Sequence, residues 1–417
     1  MFLKHLTLRN IRCFENAQLD FDLPGGDNRK WTVLLGENGT GKSTVLKTIA
    51  LVMAGSDALT ELVGETDSWI KEGAEEGSIT AKIETATGNE REISLEFKRG
   101  ERRSLFLKRA IETLEPLDAA LEHTTRNYLT VAYGASRRLS SGGLANRGGD
   151  PGEHPRAQSM ASLFDANAEL NPLESWAMQL DYSSDGEHLN VVRDVLSDFL
   201  RDTTFSHIDK SNESLMFDTP EGVMPLRQLS DGYQNVAAWV GDLLYQITNI
   251  FGDYNEPLNA RALLIIDEVD LHLHPKWQRQ LLNFLNDRLP RMQLVVTTHS
   301  VVTAQQSEET ALHYCIRRPN GIEIEVFEGD PGKLLIHQLI ATEAFGNASD
   351  ESLSVEQDKE MYRALHKKES KSEADLEEMK KIADRLGHRP VDEEQVFLTK
   401  EQRELMAKMK EHYEAVP

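Results

Sequence analysis

The stretch that most constrains this chain is Trp31–Thr44, WTVLLGENGTGKST. Trp31 to Leu35 is mostly apolar with little alternation, the pattern of a strand covered on both faces. The chain then opens through Gly36, Glu37, Asn38, Gly39, Thr40, Gly41, Lys42 and Ser43, which fits G-x-x-x-x-G-K-[ST], and continues from Thr44 to about Ala54 in a helical pattern. Strand, glycine-rich loop and helix in that order turn the spacing into a phosphate-binding site. Gly36, Gly39 and Gly41 permit backbone angles and a close approach that a Cβ would forbid. The exposed N–H groups and the helix N-terminus then face a polyphosphate. Lys42 is placed to reach the β- and γ-phosphates, and the Ser43 hydroxyl to be a ligand of Mg²⁺. A nucleoside triphosphate is the expected ligand.

A second cluster begins at Leu226. Leu229-Ser230-Asp231-Gly232-Tyr233-Gln234 opens a helical pattern that continues through Val236, Val240, Leu243 and Leu244. Ser230 and Gly232 at a helix start offer a hydroxyl and a bare backbone N–H to an anion. Alone this is an ordinary cap; after a phosphate loop it becomes a candidate second hand on the nucleotide. Arg261-Ala-Leu-Leu-Ile-Ile-Asp267-Glu268 follows, a buried strand with two acids at its C-terminal end, where open α/β sheets bind ligands. Asp267 is placed to hold Mg²⁺ and Glu268 to polarise an attacking water. The turn Leu271-His272-Leu273-His274-Pro275 offers two histidines without a third ligand of suitable spacing, and is expected to be structural. Gln293–Thr298 is another buried strand, and His299 at its tip faces the phosphate cleft, either on the γ-phosphate or lytic water or as a core histidine. Near the start, Phe2–Arg9 and Ala17–Leu23 alternate as an antiparallel pair. The intervening turn sets Arg12 and Phe14 close to the phosphate loop, Arg12 touching nucleotide or Phe14 serving only the core.

The remaining chain sets the domain plan. From Ile79 to about Ala110 three short runs, ITAKIETA, REISLEFKRG and RSLFLKRA, read as an antiparallel meander, and Tyr128–Tyr133 reads as a buried strand. Residues 140–155 are rich in Gly, Ser, Asn and Pro and are expected to form a mobile loop. Helical patterns occupy Leu173–Leu180 and Leu189–Arg201, Ile322–Phe327 is a last strand, and Glu356–Ser370, Glu373–Leu386 and Lys400–Tyr413 are charged helices. The plan is an ATPase domain over 1–330, with a β-rich subdomain at 79–133 and a loop and helical insertion at 134–225, then a C-terminal helical region over 331–417. No span of about 18 apolar residues occurs, so no membrane crossing is expected. The opening MFLKHLTLRNIRCF reads as a strand and not as a secretion signal. Cys13 and Cys315 are the only cysteines, which fits a cytoplasmic location without a disulfide framework.

A net charge of −23 is poorly suited to coating DNA through general electrostatics. Nucleic-acid contact would have to come from a local patch. Two basic clusters offer one: Lys98, Arg99, Arg102, Arg103, Lys108 and Arg109, then Arg126, Arg137, Arg138, Arg147 and Arg156. A solvated face is the simpler reading of the first.

The order of phosphate loop, Leu-Ser-x-Gly, apolar strand ending Asp-Glu and strand ending in His resembles the ABC-type ATPases. The opening Asn10-Ile-Arg-Cys-Phe14 is similar to the branch that holds RecF, the SMC proteins and the overcoming-lysogenization-defect ATPases. The likeness spans Met1 to Phe327. It implies an α/β fold: a P-loop ATPase with a mixed, largely parallel central sheet, an antiparallel β subdomain, an inserted helical subdomain and a helical extension. It further implies that Gly36–Thr44 is the Walker A loop, Ser230 and Gly232 the signature, Asp267 and Glu268 the Walker B pair, and His299 the switch histidine. ATP and Mg²⁺ are then the cofactors, with Arg12 on the nucleotide and Ser43 and Asp267 on the metal. No clear Gln-loop stands between Walker A and the signature; Tyr133–Arg137 occupies a plausible place and Gln158 is a weaker candidate. The interval from Gly41 to Ser230 is too short for a coiled-coil arm. Compact size and the Leu-His-Leu-His-Pro turn look most like the small ATPases of bacterial anti-phage systems, such as the Septu ATPase with its HNH nuclease. That resemblance implies a homodimer or higher oligomer closed by an ATP sandwich and a separate effector docked on the C-terminal helices. A RecF-like DNA-binding ATPase of repair is the alternative.

Overall fold

In the computed structural model, positions 24, 26, 86–87, 122–127, 138–153, 184–186, 201, 252–255, 369 and 387–417 are not described; all other residues are. The expected mobile loop at 140–155 and the helix at Lys400–Tyr413 therefore lie largely or wholly outside the described residues. The chain divides into two compact units, Met1–Ala348 and Ser349–Pro417.

The strands of the first unit are β1 (Phe2–Ile11), β2 (Phe14–Asp20), β3 (Trp31–Gly36), β4 (Glu76–Glu84), β5 (Glu90–Lys98), β6 (Leu129–Tyr133), β7 (Thr204–Asp209), β8 (Ser214–Thr219), β9 (Gly222–Pro225), β10 (Ala262–Ile266), β11 (Gln293–Thr297), β12 (Leu312–Arg318) and β13 (Gly321–Val326). Its helices are α1 (Lys42–Met53), α2 (Gly55–Leu62), α3 (Arg103–Leu121), α4 (Pro155–Gln158), α5 (Ala161–Phe164), α6 (Leu173–Ser183), α7 (Glu187–Phe199), α8 (Asp231–Phe251), α9 (Pro275–Arg288), α10 (Val301–Gln305) and α11 (Ile336–Ile340). The second unit has α12 (Leu353–His366) and α13 (Glu373–Leu386), with Arg385 paired to Asp358 at 2.7 Å.

A six-stranded sheet in the order β13-β12-β3-β11-β10-β6 carries the architecture. The β6, β10, β11, β3 and β12 strands run parallel and β13 returns antiparallel. Both faces are covered, which is why β3, β10 and β11 read as unbroken apolar runs. Side chains nonetheless alternate between two cores. Leu264 and Ile266 of β10, with Leu294 and Val296 of β11, enter the core built with α6–α9. Leu263, Ile265 and Val295 enter the other, with α1 and a four-stranded antiparallel sheet, β2-β1-β4-β5. Ten of the twelve α1 residues are buried, because this helix lies between the two sheets.

The third run of the expected meander is corrected. RSLFLKRA alternates locally, but it begins α3, whose Phe106, Ala110, Leu114, Leu117 and Leu121 are spaced by three or four and are all buried. Phe106 stacks on Phe97 of β5 at 4.8 Å, so packing against the sheet selects the helical period. The pair β4–β5 extends the β1–β2 sheet, while β6 belongs to the six-stranded one. Strands β7–β9 form a small antiparallel sheet between the helices α7 and α8, where the sequence suggested only loop and helix.

Candidate nucleotide-binding site

The parallel strands β3, β10 and β11 end at one edge of the sheet, and the loops that follow them build a cavity of about 390 Å³. Arg12, Asn38, Gly39, Gly41, Lys42, Ser43, Thr44, Asp267, Glu268 and His299 all line it, so most residues singled out from sequence meet in one place. Gly36, Glu37 and Thr40 shape the loop beneath. Gly36, Gly39 and Gly41 have φ of 150°, 76° and 86°. At Gly41 a Cβ would also stand 2.6 Å from Cys13 Sγ and 2.7 Å from the buried Phe14 ring. The Asn10–Phe14 turn is therefore the wall against which the loop is pressed.

Lys42 Nζ donates to the carbonyls of Gly36 and Glu37, each at 2.9 Å, and Thr40 Oγ1 donates to Glu37 O at 2.8 Å. The loop thus wraps its own ammonium. Burial lowers the Lys42 pKa, against the opposing pull of Asp267 and Glu268. Ser43 Oγ donates to Asp267 Oδ2 at 2.6 Å, joining the α1 start to the end of β10. The other oxygen, Oδ1, accepts from Thr297 Oγ1 at 2.5 Å, and that same hydroxyl accepts from Glu268 N at 2.7 Å. Glu268 has φ of 49°, an unfavourable angle for a residue with a Cβ, and is held there from both sides. Arg137 Nη2 donates to its carbonyl at 2.6 Å.

His299 Nε2 lies 4.0 Å from Glu268 Oε1. Burial first, then the Lys42 ammonium, push its pKa below the ordinary imidazole range. A neutral ring at this place can accept or donate one hydrogen bond. Arg12 has φ of 49° and stacks its guanidinium over Trp69 at 4.1 Å, a cation–π contact that fixes it on the cavity wall.

Ser230 and Gly232 do not reach this cavity. They line a separate one of about 280 Å³ with His272, Leu273, His274 and Trp277. The glycine is required there, because a Cβ at Gly232 would meet His272 O at 2.7 Å. His274 caps α9, its Nδ1 accepting from Lys276 N at 3.2 Å, a structural job for one of the two turn histidines. Gln158 lines neither cavity and sits in α4. Of the first basic cluster, Arg99 donates to Ala74 O and Lys71 O, Arg103 to Thr60 O, and Arg109 pairs with Glu101.

Sequence reasoning missed the residues that hold the acids. Thr297 is one, bonded to both Asp267 Oδ1 and Glu268 N, and Arg137, on the Glu268 carbonyl, is another. The available signal was a pair of threonines at the end of a buried strand, opposite a second strand ending in acids.

Two family models match this chain. Residues 5–146 match an "AAA domain", and residues 154–304 match "AAA domain, putative AbiEii toxin, Type IV TA system". The two matches fall on the two halves of the phosphate-loop unit, one holding the loop and the other the acids. Both halves of the unit are thus similar to AAA-type ATPase domains. Its fold is a mixed α/β fold, with the phosphate loop after β3 and the acids after β10. Among its relatives, this chain is 25% identical over 311 residues to the Septu protein PtuA of Bacillus mycoides, a match covering 72% of this chain and 38% of that protein. It is 30% identical over 119 residues to the Retron Ec83 probable ATPase of Escherichia coli, covering 28% of this chain and 22% of the relative. The matches thus span well under half of either relative's own length. An SMC head domain from Thermotoga maritima aligns over 79% of this chain and 100% of its own, at 14% identity and a TM-score of 0.42.

Proposed function

We propose that this chain binds and hydrolyses ATP between two copies of itself and thereby controls a separate effector in anti-phage defence. The observation that carries the nucleotide reading is the Ser43–Asp267 pair, 2.6 Å apart on the wall of a phosphate-loop cavity. A hydroxyl and a carboxylate so placed, with all-oxygen donors and one side open, suit Mg²⁺. Ser43 and Asp267 would hold the metal, which when bound would offset the negative charge of the phosphates.

The chain's own residues supply the rest. The N–H groups of Asn38–Thr44 cradle the phosphates, and Lys42 exchanges its two loop carbonyls for phosphate oxygens. Glu268 takes the proton of the attacking water, and neutral His299 beside it orients that water or the γ-phosphate. Arg12, braced by Trp69, flanks the nucleotide. Because Ser230 and Gly232 open on a different cavity, they act on the nucleotide of a second subunit. Each γ-phosphate then joins two chains, and its loss releases them. The similarity to Septu PtuA and to a retron ATPase supports a defence role, and the C-terminal helices are the proposed seat of the effector, a nuclease of the HNH type.

Two variants test this reading. Lys42→Ala is expected to abolish MgATP binding in calorimetry, and unchanged affinity refutes the phosphate-loop assignment. Glu268→Gln is expected to bind ATP without turnover and to run as a trapped dimer in light-scattering size exclusion. A Glu268→Gln chain that stays monomeric in saturating ATP refutes the sandwich.

A further inference from the structure

Arg137 stands four residues past the end of β6, and its role was left open by the sequence. It is 3% exposed. Its Nη2 donates to the Glu268 carbonyl at 2.6 Å, while Nε and Nη1 have no hydrogen-bond partner among the described residues. Burial lowers its pKa to about 10, with Asp267, Glu268 and Asp270 opposing the loss of charge, so the guanidinium stays charged at neutral pH. A buried arginine costs several kcal/mol in desolvation, a cost that surface salt bridges elsewhere on the chain do not incur. What it secures is the peptide after Glu268, the residue held at φ of 49°.

The chain of contacts continues. Asn235, buried in the second turn of α8, donates from Nδ2 to the Arg137 carbonyl at 3.3 Å. The same helix begins with Ser230 and Gly232, and Gly232 abuts the His272 carbonyl of the turn that follows Glu268. The helix that carries the signature is thus tied to the Glu268 turn twice, once through Asn235 and Arg137 and once through backbone packing.

We propose that Arg137, held by Asn235, is the positioning residue that sets Glu268 according to the state of this subunit's own signature helix. The proposal rests on the nucleotide reading above and deepens it. In a sandwich, α8 of one chain closes on the other chain's γ-phosphate. A shift of its first turns moves Asn235, then the Arg137 backbone, then the guanidinium on the Glu268 carbonyl. Closure over one nucleotide would arm the base that faces the other, so the two sites fire together. Arg137 does this without touching nucleotide, since it does not line the cavity.

Three single variants and one double test it. Arg137→Met keeps length and apolar volume but no donor; Arg137→Lys keeps one donor; Asn235→Ala removes the second link. Expected for Arg137→Met are an MgATP dissociation constant within about threefold of wild type and a kcat lower by about thirtyfold or more. Hydrogen exchange over residues 267–273 should rise while that of α1 stays unchanged. Arg137→Lys should recover part of both losses, Asn235→Ala should show a smaller loss of each, and the double variant should be no worse than Arg137→Met. A wild type without turnover would sink the hydrolysis reading, and the exchange arm would still decide the positioning claim. Unchanged exchange over 267–273 in both Arg137→Met and Asn235→Ala overturns it, as does a double variant whose losses simply add. Should Arg137→Met fail to fold, Arg137→Lys and Asn235→Ala decide by the same readouts.

Discussion

Thr297→Val is the sharpest perturbation of the candidate site, because one hydroxyl makes two bonds there. It donates to Asp267 Oδ1 at 2.5 Å and accepts from Glu268 N at 2.7 Å, and the residue is fully buried. Valine fills the same space, so no cavity term arises. The loss is two unmet polar groups, a carboxylate oxygen and a backbone N–H, each worth about 1–3 kcal/mol when buried and unpaired. Asp267 keeps its bond to Ser43 and stands 8% exposed, which softens the first of these. We expect a stability loss of about 2–4 kcal/mol by urea unfolding, a large share of the roughly 5–15 kcal/mol typical of a domain. Glu268 at φ of 49° loses one of its two restraints, so kcat should fall more steeply than nucleotide affinity. Thr297→Ser, which keeps the hydroxyl and loses a methyl, should cost about 1 kcal/mol and retain turnover. A Thr297→Val chain within about 0.5 kcal/mol of wild type and with unchanged kcat would refute the claim that this hydroxyl fixes the acid pair.

Two further outcomes follow from backbone and burial. Gly41→Ala places a Cβ against Cys13 Sγ and the Phe14 ring at φ of 86°, whereas Gly39→Ala at φ of 76° meets open space; the first should weaken MgATP binding at least about tenfold. The second should cost only the left-handed strain, about 1–2 kcal/mol, by denaturant unfolding. His313 is held to a pKa of about 4 by burial and then by Arg29, whose Nη1 approaches its Nε2 at 3.3 Å. The unfolded chain, with an ordinary value of 6.5, binds more protons between these limits. Stability therefore falls as pH drops from 6.5 towards 4, by about 3 kcal/mol from this residue, and is unaffected by it above 6.5. His313→Gln should flatten that part of the urea-derived stability profile, and an unchanged slope would show that the ring is protonated in the folded state.

How much of the site could be read from the sequence follows a physical division. The phosphate loop is legible because cradling a phosphate needs neighbouring residues in fixed order, so Gly36–Thr44 carries its whole meaning in nine positions. The strands that deliver the acids are legible because a sheet covered on both faces must be apolar throughout, as Ala262–Ile266 and Gln293–Thr297 are. Strands β7–β9 escaped notice because a small, half-exposed sheet needs neither pattern. The first residues of α3 were misread because eight residues cannot separate a period of two from 3.6, and only Leu114 to Leu121 break the tie. Arg137 and Thr297 fall outside any local pattern: their partner is the Glu268 backbone, 131 and 29 positions away in the chain. A backbone carbonyl or N–H leaves no trace in the identity of the residue that bears it. The phosphate loop is thus written contiguously and the acids at the tip of an apolar run, while the groups that hold Glu268 at its left-handed angle are written as ordinary polar residues near the ends of buried strands. In a chain of this layout, residues that hold the left-handed acid are to be sought at and just past the ends of the strands flanking the one that carries it, as Thr297 of β11 and Arg137 after β6 are.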